Sequence, residues 1–204
     1  MSRRPARDFQ LVQIVDAALA DAARRAGKWL VCRPGCMSCC VGAFAINALD
    51  AARLRDGLRV LRRTDPRRLE RLQARARAYL ARTAQDFPGN PETGILRDDE
   101  ASQKAFENFA DDEPCPALDP EMGTCDLYEH RPMTCRVFGP PVRNEGGALG
   151  ICELCFRNAS ARQIAACEME PDPGNLEGSI LKEMASTSED TIVAFVLVEE
   201  CICD

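Results

Sequence analysis

The chain carries a single histidine, His130, in 204 residues, and only three lysines, Lys28, Lys104 and Lys182. One imidazole favours thiolate-dominated chemistry over mixed Cys/His fingers or His-rich catalytic zinc sites. Long apolar runs are also missing. The longest candidate, Ile192 to Val198, falls far short of the ~20 residues that a membrane helix needs. Nor does an apolar stretch resembling an export signal follow Met1-Ser2-Arg3-Arg4-Pro5-Ala6-Arg7-Asp8, so the chain is expected to be cytoplasmic, with no membrane association and with its thiols reduced. At this length one domain, 1–204, is expected.

Cysteine is what the chain has in quantity, twelve residues in all. Four fall in Cys32-Arg33-Pro34-Gly35-Cys36-Met37-Ser38-Cys39-Cys40, where Pro34 and Gly35 oppose a simple helix. A second group, Cys115, Cys125 and Cys135, is spaced with nine residues between successive thiols, and Cys152-Glu153-Leu154-Cys155 adds a C-x2-C pair. Thiolates are soft ligands for zinc or for the iron of iron–sulfur clusters, and short Gly/Pro spacers let successive sulfurs turn toward one point. The candidate ligands are therefore Cys32, Cys36, Cys39, Cys40, Cys115, Cys125, Cys135, Cys152 and Cys155. Neighbouring residues project in different directions, so Cys39 and Cys40 are expected to serve different irons of a cluster or two separate metals. Nine thiols exceed the four that zinc requires, which leaves open a cluster with spare thiols, two sites, or one structural zinc with passive cysteines.

Tyr128, Arg131 and Arg136 lie on the same segment as Cys125 and Cys135 and are expected to hydrogen-bond or neutralise the ligating sulfurs. His130, between Glu129 and Arg131, reads as an exposed residue on a polar turn, not a ligand. Gly146-Gly147-Ala148-Leu149-Gly150 lacks the preceding strand and following helix of a dinucleotide loop and reads as a turn. Cys167 reads as a buried small hydrophobe, and Cys201 and Cys203 stay outside the site.

The run Cys32-x3-Cys36-x2-Cys39-Cys40, followed by Cys115-Pro116-x-Leu118 and Cys125-x2-Tyr128-x2-Arg131-Pro132-x2-Cys135-Arg136-x-Phe138-Gly139, resembles the CxxCxxCC, or YkgJ-type, family of zinc- or iron-chelating proteins. The likeness covers roughly residues 29–140, with three residues instead of two between Cys32 and Cys36. It implies a chelating core at 29–140 flanked by an N-terminal helix, 8–27, and a C-terminal helical extension and tail, 156–204. The cysteine signature also resembles that of flagellin lysine-N-methylases. That likeness implies an alternative, an enzyme using an iron–sulfur cluster and S-adenosylmethionine for protein methyl transfer, although the chain shows no recognisable methyl-donor loop.

Periodicity predicts a mainly α fold with a cysteine-rich irregular region folded around a metal site. A helix over 8–27, capped by Asp8, carries Phe9, Val12, Val15, Leu19, Ala22 and Ala26 on one stripe. Asn47 caps a second helix to about Arg63, and Asp65-Pro66 starts a third that runs to about Asp86. A fourth spans Asp99 to Ala110, with Ala101, Ala105, Phe106 and Phe109 inward. Beyond the proline-rich segment 111–156, helices are expected at 159–169 and 175–185, and Thr191–Val198 has strand-like composition. Residues 50–82 hold eleven arginines against Asp50, Asp56, Asp65 and Glu70 in a chain of net charge −6. This stretch is either the solvated face of two helices or a surface for an acidic protein or RNA partner, the basis of a third reading as a metal-stapled adaptor.

Overall fold

The computed structural model describes residues 4–33, 35–143, 149–184 and 189–199. Among them are eight α-helices and only two-residue strands, a mainly α fold. The helices are α1 (Ala6–Ala26), α2 (Ala48–Thr64), α3 (Pro66–Thr83), α4 (Glu100–Phe106), α5 (Met133–Val137), α6 (Ala161–Ala166), α7 (Leu176–Glu183) and α8 (Val193–Val198). The chain divides into two compact units: Met1–Arg4, Met37–Pro132 and Ser186–Asp204 make one, Pro5–Cys36 and Met133–Ala185 the other. No described helix is long and apolar enough to cross a membrane.

The first unit is built on α2 and α3. Asn47 accepts from the backbone N–H of Leu49 and Asp50 at 3.0 Å each, satisfying two donors that the first turn of α2 leaves open. Asp65 does the same for α3 through the Arg68 amide, with Pro66 at the first helical position, where its missing N–H costs nothing. The two helices turn back on each other through this one residue. Their stripes, Leu54, Leu58 and Leu61 from α2 with Leu69, Leu72 and Ala76 from α3, meet in the main core.

Thr191–Ile192 (β8) pairs antiparallel with Ala45–Ile46 (β1), but the chain then turns into α8 instead of continuing as a strand. A six-residue apolar run is ambiguous between the two states, and here the surroundings decide. Val193, Ala194, Val196 and Leu197 are all buried, and α8 packs against both α2 and α3. As a helix the run satisfies its own backbone where no open sheet edge is offered. The hairpin β2 (Gly89–Asn90) and β3 (Ile95–Leu96) lies against it, with Gly94, at φ +71°, leaving the space that Phe195 fills. Helix α4 ends at Phe106, four residues short of the expected Ala110, and Ala101 and Ala105 face solvent while Phe109 is buried from the following turn.

The second unit sets α1 against α5 and α7. Leu11, Val15, Ala22 and Ala26 are buried, whereas Phe9 points outward, 56% exposed, one position off the buried stripe. Pro5, not Asp8, precedes the helix, and Asp8 is buried in its first turn. Ala26 meets Cys155, Phe156 and Cys167 in a small core with Trp29 and Cys152 at its edge, which places Cys167 as the buried apolar residue expected. Helix α6 begins with a reciprocal cap between Ser160 and Gln163. Val142–Arg143 (β6) pairs with Leu149–Gly150 (β7); most of the glycine-rich turn lies outside the described residues.

The tail helix α8 completes the main core. Leu197→Ala, at a fully buried position, is expected to lower stability by about 3 kcal/mol, read as a shift in the urea midpoint.

Candidate metal centre

Two cysteine motifs 75 positions apart meet inside the first unit. The Cys115 N–H donates to the Cys40 carbonyl at 2.7 Å, the Gly42 N–H donates to the Glu113 carbonyl at 2.9 Å, and Val41 bridges Pro114 antiparallel. Gly42 adopts φ +89°, a left-handed conformation that costs other residues more than glycine. Pro114 and Pro116 lack donors of their own, so the single amide between them, that of Cys115, carries the pairing on that side.

The first pair of thiols sits in a 3-10 turn, Ser38–Cys40, closed by the Cys40 N–H on the Met37 carbonyl at 2.8 Å. The Cys39 thiol lies within hydrogen-bonding reach of the neighbouring Cys40 thiol.

The second pair is set by a hairpin, β4 (Leu118–Asp119) on β5 (Thr124–Cys125), in which Leu118 faces Cys125. The Leu118 N–H closes a turn on the Cys115 carbonyl at 2.9 Å, and the Asp126 N–H bonds the Ala117 carbonyl at 2.8 Å. These turns aim backbone amides at sulfur: Ala117 and Leu118 donate to the Cys115 thiol, and Leu127 to the Cys125 thiol. Amides so placed favour thiolate over thiol and are the ordinary support of a ligating sulfur.

Two arginines of α3 fasten this hairpin. Arg68 and Arg75, seven residues apart and so on one helix face, both bond the buried carboxylate of Asp126, and Arg75 Nε also reaches the Pro116 carbonyl at 3.1 Å. Residue-by-residue reading of the sequence missed this clamp. The signal was present as an aspartate directly after Cys125 and arginines at a seven-residue step. From the other side Leu127 and His130 stand over Gly57 of α2, where an added Cβ would come within 2.9 Å of the His130 Cβ. His130 is half-buried packing, not the exposed turn residue expected.

Arg131 is buried, with its guanidinium 3.9 Å from the Tyr128 ring centroid and its Nη1 on the Tyr128 carbonyl at 2.6 Å. Its positive charge favours the thiolates of Cys39 and Cys125. Opposing it, the Cys40 hydrogen bond and burial push the Cys39 thiol up, burial pushes Cys125 up, and burial with the neighbouring Cys125 and Cys39 holds Cys115 at about 12. Burial and sulfur contacts thus favour the neutral form of Cys39, Cys115 and Cys125, among groups placed for the anionic form.

Cys32, Cys36, Cys135, Cys152 and Cys155 belong to the other unit. Cys32 is exposed, Cys36 is half-buried at the end of a turn closed on the Arg33 carbonyl at 2.9 Å, and Cys135 is half-buried on α5. Cys152 and Cys155 are joined by a backbone bond of 2.9 Å and by a contact between their thiols, and the Cys155 sulfur accepts from the amides of Val31 and Cys32. Arg136 is buried and bonds Asp16 of α1 at 2.7 and 2.9 Å, so it ties α5 to α1. Cys201 and Cys203 lie outside the described residues.

All ten described cysteines are free thiols, and no three Cys, His, Asp or Glu side chains among the described residues already stand in metal-binding geometry. The donor set fits a soft metal nonetheless: four thiols from two motifs, amides on two of the sulfurs, and one buried guanidinium.

Asp126→Ala leaves Arg68 and Arg75 without their shared carboxylate and is expected to cost about 3 kcal/mol, measured by urea unfolding. A second expectation concerns alkali. Cys115 lies at about 12 in the fold against an ordinary 9.0, so its stabilisation is whole below pH 9 and is lost as the pH climbs toward 12. Metal-free protein should lose stability between about pH 9 and about pH 12, and Cys115→Ser should flatten that slope, as read from chemical denaturation at each pH.

No curated protein and no solved structure matches the chain. A family model does, over residues 31–152, and its description is a candidate zinc- or iron-chelating domain. That span holds eight of the chain's cysteines, including both motifs paired through Cys40 and Cys115, and it covers more than half the chain, which therefore belongs to the CxxCxxCC family of zinc- or iron-chelating domains.

Proposed function

We propose that this chain holds zinc or iron through a tetrathiolate centre made by Cys39, Cys40, Cys115 and Cys125. One observation carries the reading: two cysteine motifs remote in sequence are paired through their backbones, and the Cys115 and Cys125 sulfurs each receive backbone N–H groups. A buried apolar thiol needs no such donors, whereas a thiolate bound to metal does. Four sulfurs satisfy the tetrahedral shell of zinc, and four cysteines equally complete an iron–sulfur cluster. A metal bound there would act as a Lewis acid or an electron carrier, or would simply hold the fold together.

The chain's own residues have definable parts in this. Arg131 offsets part of the net negative charge that four thiolates leave on a divalent ion, and Tyr128 holds its guanidinium in place. Arg68, Arg75 and Asp126 keep the Cys115 and Cys125 turns on α3. Because the Cys39, Cys115 and Cys125 thiols are pushed up, loading releases protons from them, and affinity rises with pH. Cys152 and Cys155, with the Val31 and Cys32 amides on Cys155, make a second soft-donor group in their own unit, which would raise the metal content above that of a single centre.

Metal analysis of protein purified without oxygen tests the reading. Wild type is expected to carry zinc, or iron with sulfide and broad absorbance near ~400 nm. Cys115→Ser or Cys125→Ser should abolish most of that content, and Cys155→Ser should remove only a part. Wild-type protein that takes up neither metal from anaerobic reconstitution, with all thiols still reactive to a thiol reagent, would sink the proposal.

A further inference from the structure

Helix α2 contains one glycine, Gly57, in the middle of its length. Glycine weakens a helix interior relative to alanine, because it has more backbone freedom to lose, so its place there calls for a close approach. Gly57 is buried, and a Cβ added to it would lie 2.8 Å from Leu127 Cδ2, 2.9 Å from His130 Cβ and 3.0 Å from His130 Cγ. Packed carbons do not stand so close, so a single methyl group at position 57 must displace what lies over it. Leu127 has little room to swing aside, being 2% exposed and part of the main core.

The segment that this notch admits is the one that serves the thiols. The Leu127 N–H donates to the Cys125 sulfur. The His130 N–H closes on the Leu127 carbonyl at 2.8 Å, which makes Tyr128–His130 a 3-10 turn. Arg131 follows directly and is tied back to Tyr128, by its guanidinium 3.9 Å from the ring centroid and by Nη1 on the Tyr128 carbonyl at 2.6 Å. Amide and guanidinium therefore travel with one short, internally bonded turn, and α2 fixes where that turn sits.

We infer that Gly57 is a positioning residue of the metal centre: its missing side chain sets the depth at which the 127–131 turn seats on α2, and so holds the Leu127 amide on the Cys125 sulfur. The inference rests on the proposed function and extends it to a helix that carries no cysteine. It also accounts for a glycine at a helical position where alanine would favour the helix itself.

Cobalt(II) serves as the probe, because its charge-transfer bands report the electron density on the ligating sulfurs. In Gly57→Ala the turn is pushed outward and the Cys125 sulfur loses its amide, so the sulfur-to-cobalt band should move to longer wavelength. Affinity, measured by competition with a chromophoric chelator, should fall about tenfold. Leu127→Ala, which empties the notch from the other side, should move the band in the same direction and gives the same reading should Gly57→Ala not fold. Phe87→Ala, buried in a separate cluster of the same unit, is the control for lost stability alone and should leave the band in place. An unmoved band in Gly57→Ala, or in Leu127→Ala where that variant stands in for it, would overturn the inference. So would an equal shift in Phe87→Ala, which would make Gly57 packing alone. Wild type that takes no cobalt would remove the centre itself and this inference with it, an outcome distinct from a loaded wild type that Gly57→Ala merely equals.

Discussion

Everything in the first unit depends on the short backbone pairing that sets Cys40 beside Cys115. Closing a loop of that size carries an entropic cost that grows only slowly with length, so bringing the ends together is affordable if the intervening chain is itself ordered. Helices α2 and α3 supply that order, and the Asp126 clamp returns the chain to α3 after the second motif begins. The pairing itself is two hydrogen bonds, held in register by a left-handed glycine on one strand and prolines on the other. Neither strand is long enough to form a sheet. What makes so small a ladder persist is the packing of the helices on one side and, in the functional reading, the metal on the other.

The electrostatics of the thiols follow from the same arrangement. Burial raises Cys115 and Cys125, and the mutual contact of Cys39 and Cys40 raises Cys39. Amide donors and Arg131 act in the opposite sense on these sulfurs. The balance favours the neutral thiol by itself and shifts decisively when a cation arrives, since each sulfur then has an opposite charge in direct contact.

Much of the framework was legible in the chain. Asn47 and Asp65-Pro66 mark helix starts by local chemistry that needs no tertiary partner, and the leucine stripes of α2 and α3 fall where their period puts them. The cysteine spacing marked the two motifs whose backbones pair at Cys40 and Cys115. Other features depend on partners remote in sequence. Thr191–Val198 has the composition of a strand, and only the groove between α2 and α3 makes most of it a helix. The 3-10 turn at Ser38–Cys40 is likewise not announced by residue identity. His130 is half-buried because Gly57, far away in sequence, leaves it room.

The arginine-rich stretch shows most clearly how composition and structure part ways. At least six of its eleven arginines are bonded to acids of the same unit: Arg53 to Asp50, Arg55 to Glu199, Arg59 to Asp56, Arg68 and Arg75 to Asp126, and Arg82 to Glu113. Read as a run, they suggest a surface for an anionic partner; paired in space, Arg53 and Arg59 bond within α2, while Arg55, Arg68, Arg75 and Arg82 staple α2 and α3 to the tail and to the segments that bear Cys115 and Cys125. Arginine suits this work better than lysine. Its planar fork can bond a carboxylate and a backbone carbonyl at once, as Arg75 does with Asp126 and Pro116. Its charge also survives partial burial, which lets Arg68 and Arg75 follow a carboxylate of 1% side-chain exposure into the interior. The scarcity of lysine and the abundance of arginine are therefore one fact about this fold: its cations are used inward, where a directional donor holds a cysteine-bearing turn in place and a point charge would not.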